Sequence, residues 1–160
     1  MKRVLVAYYS NTGNTEQMVQ YIAEGVRIAG HEAEVKDIVE IKSEKDLLNY
    51  DGYIFGCPTY HLDIPDPFKK FLDDIAGKAK LVGKIGGAFD CRTHPSSGEE
   101  SAAGLIFNRM ESEFKMKMTD LGPFDLKPDW FASNKSESVG SMEAIHACQD
   151  YGRALAAMLE

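Results

Sequence analysis

RVLVAYYSNTGNT, residues 3–15, changes character abruptly. Six aliphatic or aromatic residues follow Arg3, and then Ser10, Asn11, Thr12, Gly13, Asn14 and Thr15 run together. An apolar run with no polar alternation predicts a strand covered on both faces, as in the centre of a parallel sheet. Behind the polar stretch, Met18, Val19, Ile22 and Val26 recur at helical spacing. Asn14 and Gln17 read as a capping pair for that helix, and Gly30 as its stop. A strand, a polar loop and a helix N-terminus therefore follow one another within a few residues.

Such a loop presents free backbone N–H groups and the positive end of a helix dipole, which together suit an anion. Ser10, Thr12 and Thr15 add hydroxyl donors, Asn11 and Asn14 add amide donors, and Gly13 permits close approach of backbone to a guest. The stretch is not G-x-x-x-x-G-K-[ST], so the lysine and magnesium ligand of a nucleoside triphosphate site are missing. It is not G-x-G-x-x-G either, which weakens a dinucleotide reading. With no Lys or Arg in the loop, neutral donors would hold the anion. That suits a terminal phosphomonoester at a site that does not transfer it. Turn and cap residues of the same types would also serve helix initiation alone.

Working outward, apolar runs alternate with helical patterns along the chain, which selects a doubly wound α/β sheet. Strands are expected at residues 3–9, 32–38 (EAEVKDI, nearer an edge), 52–57 (GYIFGC, ended by Pro58), 84–91 (KIGGAFDC) and 115–119 (KMKMT). Ser43 and Asp46 resemble a capping box for a short helix reaching Tyr50. Asp66 and Pro67 read as N-cap and first-turn proline of a helix that buries Phe68, Phe71, Leu72 and Ile75. A helix over 101–114 would bury Leu105, Phe107 and Met110, and a last one from Ser141 carries Ile145, Cys148, Leu155 and Leu159. The paired glycines 86 and 87 leave room for close backbone or cofactor approach, or for a bulge. Residues 120–140 carry no assignable pattern. In a five-stranded doubly wound sheet, ligands bind beyond the carboxyl ends of the strands where strand order reverses. The loops after the first, third and fourth strands are therefore the ones to watch.

The 160 residues fit a single domain spanning 1–160, and 44% hydrophobic with 27% charged residues indicates neither disorder nor a membrane protein. Two basic residues ahead of the first apolar run imitate a signal peptide, but the run is short and ends in turn residues, so a strand and a cytoplasmic location are expected. Cys57, Cys91 and Cys148 form no close-spaced pair, which argues against zinc, a cysteine-ligated cluster or a redox dithiol. A net charge of −7 argues against nucleic acid and anionic membrane and invites a basic protein partner.

With these residues in view, SNTGNT after RVLVAYY, and EQMVQYIAEGV behind it, resemble the phosphate loop and first helix of flavodoxins. The resemblance continues through GYIFGCPTYHLDIPDPFKKFLDD and the closing CQDYGRALAAML. It implies the flavodoxin-like three-layer sandwich with strand order 2-1-3-4-5, and FMN as cofactor at the switch between strands one and three. Residues 10–15 would then hold the FMN phosphate. Pro58, Thr59, Tyr60 and His61 would flank one side of the flavin ring, with Tyr60 offering a stacking face. Cys91, Arg92, Thr93 and His94 would flank the other. The loop DCRTHPSSGEE departs from many flavodoxins, which place an aromatic and several acidic residues there. With PTYH, it is more similar to WrbA-type NAD(P)H:quinone oxidoreductases, flavodoxin-like enzymes with an open flavin face. Residues 57–65 hold no glycine, so the family's peptide flip toward the one-electron reduced flavin is not implied here.

Other chemistry fails on spacing. A Cys-based phosphatase or arsenate reductase needs Cys and Arg separated by five residues, whereas Asp63 and Ser97 occupy the required places after Cys57 and Cys91. A receiver domain needs an acidic pair where this chain has Tyr8, Tyr9 and Ser10, and G-x-S-x-G is absent. His31, His61, His94 and His146 form no metal motif. Three readings stand. An FMN electron carrier between redox partners, with no catalytic side chain, is preferred on acidity and size. An FMN-dependent NAD(P)H:quinone reductase is supported by Arg92 and His94. A flavin-free binding module is disfavoured by residues 10–15. Partners are accordingly a redox protein, or NAD(P)H and a quinone, and an oligomer is left open.

Overall fold

The computed structural model describes residues 1–9, 13–58, 64–91, 102–126 and 142–159. Its centre is a parallel sheet in the order β2-β1-β3-β4-β5, with β6 also paired to β4. The strands are β1 (Arg3–Tyr8), β2 (Glu32–Asp37), β3 (Gly52–Pro58), β4 (Ile85–Cys91), β5 (Lys117–Met118) and β6 (Phe124–Leu126). The helices are α1 (Gly13–Ile28), α2 (Asp66–Asp74), α3 (Ala102–Ser112) and α4 (Met142–Ala157). The expected strand order and doubly wound class are those observed.

Alternation along β1 divides the core in two. Val4, Val6 and Tyr8 face one side, where they join Met18, Ile22 and Val26 of α1 and Cys148, Tyr151 and Leu155 of α4. Leu5 and Ala7 face the other, with Phe68, Phe71 and Leu72 of α2 and Ile106 and Met110 of α3. Both faces of β1 are thereby dry, which is why its sequence shows no polar alternation. β2, at the edge, begins exposed at Glu32 and is only partly buried from Ala33 to Asp37.

Local signals behave as their chemistry dictates. Gly30 stops α1 with φ of 95°, the Gly30 N–H bonding the Arg27 carbonyl (3.0 Å) and the His31 N–H the Val26 carbonyl (3.3 Å). That pair of bonds closes the last turn as a Schellman cap. Ser43 and Asp46 form the expected capping box, but it starts a short 3-10 turn, Glu44–Leu47, that ends before Tyr50.

Four expectations need correction. Asp66 is not the N-cap of α2: Pro65 holds that place without a side-chain bond, its carbonyl accepting the N–H groups of Phe68 and Lys69, both at 3.0 Å. Asp66 instead lies in the first turn, where its charge meets the helix dipole. In α3 the fully buried residues are Ala102, Ala103, Ile106 and Met110, while Leu105 and Phe107 pack only partly against the core. The glycines at 86 and 87 make room for side chains, not for a cofactor. A Cβ on Gly86 would stand 2.9 Å from Met118 Sδ, and one on Gly87 2.8 Å from the Tyr151 hydroxyl. Finally, the fifth strand position is filled by two pieces, and β6 comes from the stretch that carried no readable pattern.

Candidate functional site

Following the chain from β1 to β2 leads to one side of β1, and the next crossover carries it past β1 to β3 on the other side. The carboxyl ends of β1, β3 and β4 therefore lie side by side at a point where strand order reverses, the place where such sheets leave a crevice. Register makes this concrete: Tyr8 stands opposite Gly56, Cys57 opposite Asp90, and Pro58 opposite Cys91. The Tyr9 N–H extends the first ladder to the Gly56 carbonyl at 3.1 Å. Helix α1 opens at Gly13, shortly after β1 ends at Tyr8, so its N-terminus belongs to the same edge.

The proposed site residues fall on this edge wherever the structure describes them. Gly13, Asn14 and Thr15 form the first turn of α1, Pro58 is the last residue of β3, and Cys91 the last of β4. Ser10, Asn11, Thr12, Thr59, Tyr60, His61, Arg92, Thr93 and His94 lie outside the described residues. His31 is elsewhere: its Nδ1 accepts the Lys2 N–H (3.1 Å) at the start of β1, on the opposite edge. His146 is exposed on α4.

Among the described residues, carboxylates gather around Tyr8 at the end of β1. The Tyr8 hydroxyl donates to Glu16 Oε1 at 3.3 Å, and Asp37 is its register partner on β2. Burial, then the charges of Glu16 and Asp37, push the Tyr8 hydroxyl up to about 12, and Glu40 adds to the effect. At the end of β4, beside β3, stands a buried carboxyl group that the sequence did not single out. Asp90 is fully buried, and its Oδ2 accepts the N–H of Ala103 in the first turn of α3 at 3.2 Å. The only hint in the sequence is an acid closing the apolar run IGGAFDC.

All three cysteines are buried thiols outside any disulfide. Burial, reinforced by the Asp90 charge, raises the Cys57 thiol well above its ordinary value. Cys148 is likewise raised by burial and then by Cys91, and its Sγ lies 3.9 Å from Met18 Sδ. Thiols held protonated in a closed core are poor nucleophiles. Among the described residues no His, Cys, Asp and Glu side chains group to hold a metal ion, and no helix is long and apolar enough to cross a membrane.

Comparison with known proteins places this geometry. The flavodoxin family profile matches residues 6–123. A flavodoxin from Clostridium saccharobutylicum is 34% identical over 109 residues, covering 68% of this chain and 67% of that protein. An NAD(P)H dehydrogenase (quinone) from Sinorhizobium fredii is 35% identical over 129 residues, covering 66% of this chain. The match spans 65% of that relative, just under two thirds of its length. Among solved structures, oxidised flavodoxin 1 from Bacillus cereus superposes with a TM-score of 0.76 at 26% identity, covering 99% of both chains.

Proposed function

Because the chain belongs to the flavodoxin family, whose cofactor is FMN, we propose that it is an electron carrier that shuttles electrons between redox partners. When bound, FMN supplies the redox chemistry, and the protein supplies position and electrostatics. The donor set fits a phosphomonoester: a helix of 16 residues opens at the edge of the sheet, preceded in sequence by hydroxyls and amides with no competing cation. Ser10, Asn11, Thr12, Gly13, Asn14 and Thr15 hold the phosphate. Pro58, Thr59, Tyr60 and His61 cover one side of the ring, and Cys91, Arg92, Thr93 and His94 the other.

The observation that favours a carrier is the acidic rim. Glu16, Asp37 and Glu40 converge on Tyr8 beside the mouth of the site, in a chain of net charge −7. A negative rim attracts a basic protein and repels the multiply charged phosphates of NAD(P)H. A second reading, an NAD(P)H:quinone reductase, is supported by the 35% identity to the Sinorhizobium protein.

Anaerobic absorbance titration of the FMN-loaded protein separates them. A carrier is bleached by dithionite in two resolved one-electron steps and is untouched by NADH or NADPH. Direct bleaching by a nicotinamide makes it a reductase. Failure to bind FMN overturns both.

A further inference from the structure

We propose that the groove between α2 and the segment following β2 is the contact face of a homodimer, its occupant a second copy of this chain related by a two-fold axis. The inference does not depend on the flavin reading.

Local signals build the groove. The Asp37 carboxylate accepts the Val39 N–H at 3.0 Å and starts a 3-10 turn, Ile38–Glu40, that carries the chain off the end of β2. The capping box at Ser43 starts a second turn, Glu44–Leu47. Residues of both turns and of α2 line a groove of about 500 Å³. Its apolar part combines the buried Ile38 and Phe71 with the partly buried Ile75 and with Val39, which is 61% exposed. Beside these stand Lys42, Lys70 and Lys78, and with them Glu44 and Asp74.

Charge decides the occupant. Two copies of a chain of net charge −7 repel one another at long range. In this groove three cations stand against two carboxylates, so the local balance is reversed and the repulsion falls. A basic groove alone would suit any acidic guest, but the charges along α2 are self-complementary. Lys70 and Asp74 stand four residues apart, on one face of the helix. Among the described residues neither is in an ion pair. An antiparallel meeting of two α2 helices about an axis level with Leu72 sets Lys70 beside the partner subunit's Asp74. The same rotation sets Asp74 beside the partner subunit's Lys70, as a two-fold interface requires. Exposed ion pairs contribute little by themselves. Covering Val39 and Ile75 in the same step adds the apolar term, and a contact of this size makes a weak, reversible dimer.

The test is sedimentation velocity on the full chain, with FMN in excess, from about 1 μM to 1 mM, the range over which a weak interface dissociates. The average mass is expected to rise from monomer toward dimer across it, and a monomer throughout overturns the inference. Lys70→Asp alone and Asp74→Lys alone each set like charges face to face. Each is expected to raise the dimer dissociation constant by about tenfold or more. An equimolar mixture of the two variants restores both opposite-charge contacts, so it is expected to dimerise as the wild type does. Lys70 and Asp74 are both exposed, so neither substitution threatens the core, and a damaged fold would not be rescued by mixing. A dimer unchanged in both variants, or a mixture that stays monomeric, overturns the assignment of this face. A chain that binds no FMN overturns the proposed function and leaves the dimer to be decided by the same masses.

Discussion

On β4 the Ala88 peptide lies between two strand partners, since β5 pairs as far as Gly86 and β6 begins at Phe89. Tyr151, from α4, fills the gap. Its hydroxyl accepts the Ala88 N–H at 2.9 Å and lies 3.1 Å from the carbonyls of both Ala88 and Gly122. Its ring stacks on Phe124 at a centroid distance of 5.0 Å. Removing the hydroxyl leaves a buried donor without its partner, so Tyr151→Phe is expected to lower stability by about 1–3 kcal/mol, read as a fall in the urea midpoint. Gly152, the next residue, illustrates how a contact distance decides a sign. Alanine is the better helix former by about 1 kcal/mol, yet a Cβ at Gly152 would stand 2.1 Å from the Ile22 carbonyl oxygen of α1. Backbone cannot yield as a side chain does. Gly152→Ala is therefore expected to lose about 1–3 kcal/mol or more through overpacking, with an unchanged midpoint contradicting the close helix crossing.

Among the elements, α1 couples fold to function. Its apolar stripe of Met18, Val19, Ile22 and Val26 is fully buried against β1 and α4, so its N-terminus is held firmly at the sheet edge. A helix so anchored presents its free N–H groups with little further ordering when an anion arrives. On the proposed roles, Ser10 contacts the phosphate alone. Ser10→Ala is expected to weaken FMN binding by roughly tenfold or more, the range of a hydrogen bond to a charged group, and to leave riboflavin binding unchanged. Equal losses for FMN and riboflavin, measured by flavin fluorescence quenching, would place the residue away from the phosphate.

At the scale of the whole molecule, buried tyrosines set an alkaline limit. Burial foremost, with nearby carboxylates, raises Tyr8 from 10.0 to about 12, and burial then the Asp51 charge raises Tyr53 to about 12. Burial also raises Tyr50 and Tyr151. In each the folded state holds the proton more tightly than the unfolded chain does. The associated stability is complete below the ordinary value of 10.0 and is lost as pH rises through about 12. Urea midpoints are thus expected to stay level from neutrality to about pH 9 and then fall steeply, and Tyr8→Phe is expected to soften the fall. A midpoint that stays constant up to about pH 12 would show that these hydroxyls are not buried in solution.

By itself the sequence determined what depends on neighbours along the chain. The unbroken apolar run of β1, the capping box at Ser43 and Asp46, the Gly30 stop and the apolar stripe of α2 are periodic or local signals that stand where they were expected, except that Ile75 of that stripe is the C-cap of α2 and only partly buried. Residues 10–15 were legible as an anion loop for the same reason, because a hydroxyl-rich turn before a helix advertises its donors directly. Tertiary structure alone decided the rest. The edge of the sheet is completed by two short strands and a tyrosine hydroxyl 63 residues away from the peptide it bonds. Asp90 meets a helix terminus in the core only because α3 docks its first turn 13 residues later in the chain, and β3 sets Cys57 alongside it. Such pairings leave no periodic trace, since register and sheet order follow from the packing of distant segments, and a carboxylate at a strand end looks the same in sequence whether water or a helix terminus receives it.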